Sequence, residues 1–213
     1  MNNVAPILAC LVLTALSPLK AGAQMIGIGG GLAIPNDRIA QVPADLVASG
    51  WSGAAEMAKS GYYLELRGRL GGRLALIGGV GYNHFGESRS EYLDGGNSEV
   101  ALKTSQTLIP ISLGADMRLG DGLLVPYLTL EATYNIYKRT FERPEGEFSA
   151  PFDIRSVTDS RLGAAVGGGV NVDLGLAEMS VGAKLHLPNL LNQEQGESEI
   201  YYAQLGAAVY FGL

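Results

Sequence analysis

The sequence predicts an all-β fold: an eight-stranded antiparallel up-and-down transmembrane β-barrel, preceded by a cleaved signal peptide. Three observations predict it. Apolar and small-or-polar residues alternate along eight segments after residue 24. The connections between those segments run long, short, long, short, long, short, long. The N-terminal apolar stretch is too short to cross a bilayer and ends in a cleavage-site pattern.

The leader comes first. Residues 5–16 form the apolar stretch, Pro18 breaks it, and Ala21-Gly22-Ala23 offers an A-x-A cleavage site before Gln24. A membrane-spanning helix needs about 20 consecutive apolar residues, so residues 1–23 read as an export signal and residues 24–213 as one barrel domain. The single cysteine, Cys10, falls inside the leader, so the mature chain has no thiol or disulfide chemistry. Removing Lys20 with the leader leaves 14 of the 15 basic residues against 21 acidic ones, a net charge of −7. That sign argues against nucleic acid as a partner. Thirty glycines, 47% hydrophobic residues and only 17% charged residues, with a mean hydropathy of +0.16, suit strands with two unlike faces better than apolar helices.

On a strand, successive side chains point to opposite faces, so period two means two different solvents. The first segment sets Ile26, Ile28, Leu32 and Ile34 against Gly27, Gly29, Gly31 and Ala33. The second sets Tyr62, Leu64, Leu66 and Leu70 against Tyr63, Glu65, Arg67 and Arg69. In the third, Leu74, Leu76, Val80 and Tyr82 oppose Arg73, Gly79, Gly81 and Asn83, with Ile77 an apolar exception on the polar face. The fourth opposes Ile109, Ile111, Leu113, Ala115 and Met117 to Ser112, Gly114, Asp116 and Arg118. The fifth opposes Leu124, Leu128, Leu130, Ala132, Tyr134 and Ile136 to Tyr127, Thr129, Glu131, Thr133 and Asn135. Pro126 inside it is an objection, since proline cannot donate to a ladder. The sixth opposes Leu162, Ala164, Val166, Val170, Val172 and Leu174 to Arg161, Gly163, Gly167, Gly169, Asn171 and Asp173. The seventh opposes Met179, Val181, Ala183, Leu185 and Leu187 to Glu178, Ser180, Gly182, Lys184 and His186. The eighth opposes Tyr201, Ala203, Leu205, Ala207, Val209, Phe211 and Leu213 to Tyr202, Gln204, Gly206, Ala208 and Tyr210.

Long connections cover residues 35–60, 86–101, 138–160 and 188–199, and short ones residues 71–72, 119–122 and 175–177. Membrane barrels of the outer-membrane type have short periplasmic turns and long extracellular loops, and eight crossings put both chain ends on the periplasmic side. A soluble eight-stranded barrel also alternates, but turns its apolar face inward. The charges decide between them. They sit on the small-and-polar face, with Lys103 as the exception, and the opposite face carries none; in water such a face aggregates, whereas lipid requires it. Tyr62, Tyr82, Tyr134 and Tyr201 all point outward at the loop end, where tyrosine favours a bilayer interface, and Phe211 serves the other rim.

The chain resembles the small outer-membrane β-barrel family of OmpA-type and opacity-type proteins, in their "outer membrane protein beta-barrel domain" form. The resemblance covers residues 24–213 and is carried by Ile26-Gly27-Ile28-Gly29-Gly30-Gly31, by Gly61-Tyr62-Tyr63-Leu64-Glu65-Leu66-Arg67, by Val80-Gly81-Tyr82 and by the ending Val209-Tyr210-Phe211-Gly212-Leu213. The family usually ends on an aromatic residue read by the barrel assembly machinery; here Phe211 stands two before Leu213. The resemblance implies a place in a Gram-negative-type outer membrane, contact with its lipid and lipopolysaccharide, and the assembly machinery as a partner during biogenesis. Its motifs are architectural and imply no activity.

An eight-stranded bore is just wide enough for side chains to fill it. The inward charges Glu65, Arg67, Arg69, Asp116, Arg118, Glu131, Arg161 and Lys184, with Arg73, Asp173 and Glu178, are near balance. Two readings stay open. One is a buried ion-pair network sealing the bore, and the other a narrow gated pore helped by the inward glycines of the first and sixth segments. A lipid-modifying enzyme is a third reading; it would need a nucleophile, a histidine and a carboxylate at the outer rim. His84 falls near that rim with Glu87 and Ser88 beyond it, while His186 points inward. Both histidines read as structural or interfacial. No histidine or cysteine spacing suggests a metal site, and no catalytic group or cofactor is expected. Recognition concentrates on loops held by a rigid scaffold, so an extracellular ligand could meet these loops. The second (Glu87, Arg89, Glu91, Asp94 and Glu99) and fourth (Glu194, Glu197 and Glu199) read as solvated acidic faces or as sites for divalent cations bridging lipopolysaccharide, and Trp51 in the first as a partner anchor or a cover folded over the barrel mouth.

Overall fold

The computed structural model describes residues 24–36, 58–93, 99–142, 156–191 and 199–213. The leader with Cys10, Trp51 of the first loop, Asp94 of the second, and Glu194 and Glu197 of the fourth lie outside them. The described residues form eight strands: β1 (Gln24–Pro35), β2 (Lys59–Gly71), β3 (Leu74–Leu93), β4 (Glu99–Arg118), β5 (Leu124–Glu142), β6 (Val157–Asp173), β7 (Ala177–Leu191) and β8 (Tyr202–Gly212). Every neighbouring pair is antiparallel, and β1 pairs with β8, which closes the barrel. Closure removes the sheet edges that would otherwise expose unpaired backbone. The Leu213 amide donates to the Gln24 carbonyl at 2.9 Å, so the two ends of the barrel domain lie together beside the three short turns. We call this the turn end and the opposite one the loop end.

Alternation becomes geometry directly. The outward rows are exposed, as at Ile28 (66%), Leu64 (58%) and Leu130 (65%), while Glu131, Arg69 and Asp116 beside or across from them are almost wholly buried. Between the levels of Tyr62 and Phe211, no outward position among the described residues carries a charge.

Three differences from the sequence expectation have physical causes. First, β3 and β4 are 20 residues each, so much of the expected second loop is a continued hairpin that pairs Ser88 with Thr104 and Leu93 with Glu99. A bulge between Phe85 and Ser88 shifts the phase, so that Phe85 and Ser88, three residues apart, are both buried. Period two is interrupted there, which hides the strand from a periodicity reading. Lys103 thus belongs to β4, exposed in this extension beyond the apolar belt. Second, Pro126 is accommodated because it stands one residue past the last β4–β5 rung, Arg118↔Tyr127. Leu119, just past that rung, still donates its amide to the Pro126 carbonyl at 2.8 Å, so only the reciprocal bond that proline cannot make is lost. Third, Pro110 lies inside β4, and the β3–β4 rungs opposite Gly81 and Tyr82 are interrupted beside it.

Candidate functional site

The bore is filled in three strata, and each follows from which inward residues the register brings level. Nearest the turn end lie Arg69, Asp116, Arg118, Glu178 and Tyr210. Arg69 donates through Nη2 to Asp116 at 3.1 Å and through Nη1 to Glu178, and Arg118 donates to the other oxygen of Glu178. Glu178 therefore bridges two arginines on different strands. The Arg69 guanidinium also lies over the Tyr210 ring, 4.5 Å from its centroid.

The middle stratum is a quartet from β2, β5 and β7. Arg67 donates to Glu131 and Lys184 to Glu65. The crossed pairs are also close, with Arg67 Nε 3.6 Å from Glu65 and Lys184 Nζ 3.7 Å from Glu131. Each cation thus sees both carboxylates, and Thr129 Oγ1 adds a bond to Glu131 at 3.4 Å. An isolated buried charge is costly, and it persists only when paired and hydrogen-bonded. These two strata hold four cations (Arg67, Arg69, Arg118, Lys184) and four carboxylates (Glu65, Asp116, Glu131, Glu178), so they carry no net charge.

Toward the loop end the filling turns aromatic and amide. Gln204 Nε2 donates to Asn83 Oδ1 at 2.6 Å, and Gln204 Oε1 lies 2.9 Å from His186 Nε2. The His186 ring stacks on Tyr202 with centroids 4.5 Å apart, and Phe85 meets the same tyrosine edge-on at 5.5 Å. Ala33, Leu108 and Tyr137 join Phe85 and Tyr202 in one buried apolar cluster, and Tyr137 Oη donates to Gln106 at 2.8 Å.

The inward glycines of β1 and β6 are not open space. Tyr63 crosses β1, and a Cβ on Gly206 of β8 would stand 2.4 Å from its hydroxyl; a Cβ on Gly27 would stand 2.4 Å from the Tyr210 ring. Tyr127 likewise crosses β6 to β7, where its hydroxyl accepts from Ser180 at 3.0 Å. Glycine is used here because a neighbouring ring occupies the volume its side chain would take. Of the inward glycines of β1 and β6, Gly27 gives its place to the Tyr210 ring, whereas Gly29, Gly31, Gly163, Gly167 and Gly169 lie close against the neighbouring strand.

Of the charges expected inside, Glu65, Arg67, Arg69, Asp116, Arg118, Glu131 and Lys184 converge in the two charged strata, and Glu178 joins them. Arg161 does not. It stands at the loop end of β6, where it donates to the Ser160 carbonyl at 3.1 Å, near the level of the Arg139–Asp159 pair (3.2 Å). Inward parity continues up β6 past the apolar belt, so parity alone does not reveal depth. Arg73 and Asp173 are corrected for the same reason at the other end. Both are exposed at turns, Arg73 donating to the Arg118 carbonyl at 3.4 Å and Asp173 accepting from the Gly175 amide at 2.8 Å. Asn83, Tyr202, Gln204 and Tyr210 were visible only as inward positions; nothing in their spacing announced that they would meet.

On the outer surface Tyr62, Tyr82, Tyr134 and Tyr201 are exposed toward the loop end, and Phe211 is exposed at the turn end. Tyr62 packs beside Tyr82 with centroids at 6.3 Å and beside His84 at 5.5 Å. His84 is thus part of an aromatic group on the outer wall, whereas Ser88, past the bulge, is buried. The two do not form a nucleophile and base. Among the described residues, no group of three metal-ligating side chains converges.

No family model matches this sequence, and no curated protein matches it. Solved structures do. Neisserial surface protein A superimposes with a TM-score of 0.52 at 12% identity, over 90% of this chain and 99% of that one. The outer membrane protein OprG from Pseudomonas aeruginosa gives 0.48 at 13% identity, over 91% of this chain and 98% of that one. Ail, the attachment invasion locus protein of Yersinia pestis, solved in complex with the heparin analogue sucrose octasulfate, gives 0.46 at 14% identity, over 90% and 99%. At such identities the first likeness shows the fold: a closed eight-stranded antiparallel barrel of the kind found in outer-membrane proteins.

Proposed function

We propose that this chain is an integral outer-membrane protein whose sealed barrel serves as a scaffold, holding its long loops at the cell surface for a structural or surface-interaction role. The loop end then faces outward and both ends of the barrel domain face the periplasm. The observation that carries the reading is the pairing of opposites: an uncharged apolar outer wall around a bore whose charges are matched within it. The wall fits lipid, where a midplane Arg or Lys costs about 2–4 kcal/mol. Charged, aromatic and amide strata occupy the bore at three successive levels, which supports a filled scaffold over a pore. What remains for function is the surface beyond the belt, where rigid scaffolds place recognition.

Two measurements test this. Folded protein in detergent should migrate differently from boiled protein on a gel, and protein in planar bilayers should give no discrete single-channel events. Steady conductance steps from the folded form would replace the scaffold with a pore. Whole cells expressing single-loop deletions, screened for lost binding or adhesion, would identify the loop that carries the interaction.

A further inference from the structure

The turn end of the barrel is not uniform. The β4–β5 turn carries Leu119 and Leu123, and the β6–β7 turn carries Leu174 and Leu176. All four side chains are exposed, Leu176 almost wholly at 95%. The two turns are neighbours, because β5 pairs with β6 from Leu124↔Val172 and the Asp173 amide donates to the Leu123 carbonyl at 3.0 Å. Turns in water are dominated by Gly, Pro, Asn, Asp and Ser. Here Gly122 and Gly175, at φ of 119° and 84°, supply the turn geometry, so the leucines are not needed for it. The third turn differs: it is Gly71-Gly72-Arg73, with Arg73 exposed.

We infer that the β4–β5 and β6–β7 turns are immersed in phospholipid acyl chains, so that the β4–β7 half of the barrel sits deeper in its leaflet than the β2–β3 turn. The inference rests on the reading of the outer wall as lipid-facing. Continuity identifies the occupant. Leu119 and Leu174 extend the outward rows of Met117 and Val172, and Leu124 (62%) and Leu128 (50%) lie directly above them. The rim of a protein–protein interface is typically polar, and on its barrel side this patch instead runs on into the apolar wall. Two carboxylates set the depth. Asp121 is exposed at the tip of its turn, and Asp173 is exposed where it accepts from Gly175. Asp121 needs headgroup water, and Asp173, on inward parity, meets water at the mouth of the bore, so the leucines occupy the upper acyl region only.

The test uses single-tryptophan variants of the whole barrel. In a Trp51→Phe background, which removes the sole tryptophan, Leu176→Trp, Leu123→Trp, Arg73→Trp and the belt control Leu128→Trp are refolded into phospholipid vesicles brominated high or low on the acyl chain. Heat-shifted gel mobility selects folded protein, and two leucine positions guard against one variant failing to fold. Leu176→Trp and Leu123→Trp should show blue-shifted emission, quenched most by bromines near the headgroup and more strongly than Arg73→Trp. Water-like, unquenched emission from both turn positions beside a quenched Leu128→Trp overturns the inference and leaves the lipid-facing wall standing. Unquenched Leu128→Trp in folded protein overturns the wall itself. Blue-shifted but unquenched turn emission that grows with protein-to-lipid ratio places a second copy on the patch and also overturns the inference.

Discussion

The Tyr210 ring is held between Arg69, whose guanidinium lies 4.5 Å from its centroid, and Gly27, whose missing side chain leaves the ring its place. β8, β1 and β2 are thereby tied through one side chain, and the arginine so positioned reaches Asp116 of β4 and Glu178 of β7. Much of the turn-end half of the bore depends on this stack.

Gly27→Leu should therefore displace the ring. A Cβ there would stand 2.4 Å from Tyr210 Cδ1, and overpacking of this kind costs about 1–3 kcal/mol. Urea unfolding from lipid vesicles should show the loss. Gly120→Ala serves as control, because its Cβ would meet nothing within 4 Å, and it should change stability by less than about 0.5 kcal/mol.

The middle quartet predicts strong coupling. Glu131→Leu removes the main acceptor of Arg67 and should cost about 3–5 kcal/mol, because a buried cation loses its partner. Adding Arg67→Met to Glu131→Leu should recover most of that cost, since Lys184 keeps Glu65. Additive losses in the double-mutant cycle would show that Arg67 and Glu131 do not act as a pair.

The outward row of β5 should respond to charge according to its depth. Leu130→Arg places a cation on the outer wall at a residue 65% exposed and should cost about 2–4 kcal/mol near the midplane. Lys138→Leu, on the same outward row above the belt, should move stability by less than about 0.5 kcal/mol. A neutral Leu130→Arg would mean that this wall does not meet hydrocarbon.

Gln204 is the hinge of the amide stratum. Gln204→Leu leaves Asn83 Oδ1 and His186 Nε2 without the partner they share, and each buried orphan costs about 1–3 kcal/mol. Channel recordings of this variant should stay silent, because Phe85 and Tyr202 still close the same level.

Much of this molecule was legible in its sequence. Leu64, Glu65, Leu66 and Arg67 show why: two solvents impose period two, and a one-residue slip would send every charge into the wall. Legibility failed where that rule lapses. Past Phe85 a bulge changes the phase, so the long β3–β4 hairpin read as loop. Arg73, Arg161 and Asp173 had the right parity but the wrong depth, because parity records a direction and not a height along the axis.

Glycine marks the other limit. From sequence, Gly27, Gly29, Gly31, Gly167 and Gly169 on the inward face favoured a widened bore, yet Gly27 gives its place to the Tyr210 ring and the other four lie against the neighbouring strand. Strand number, face assignment and the outward tyrosines were determined by the sequence alone, since they follow from residues two apart on one strand. Which charge pairs with which, and what fills the space over each glycine, was decided only by the tertiary structure. Those partners sit on different strands, such as Arg69 and Glu178, 109 residues apart, and only the registers around the closed barrel bring them level.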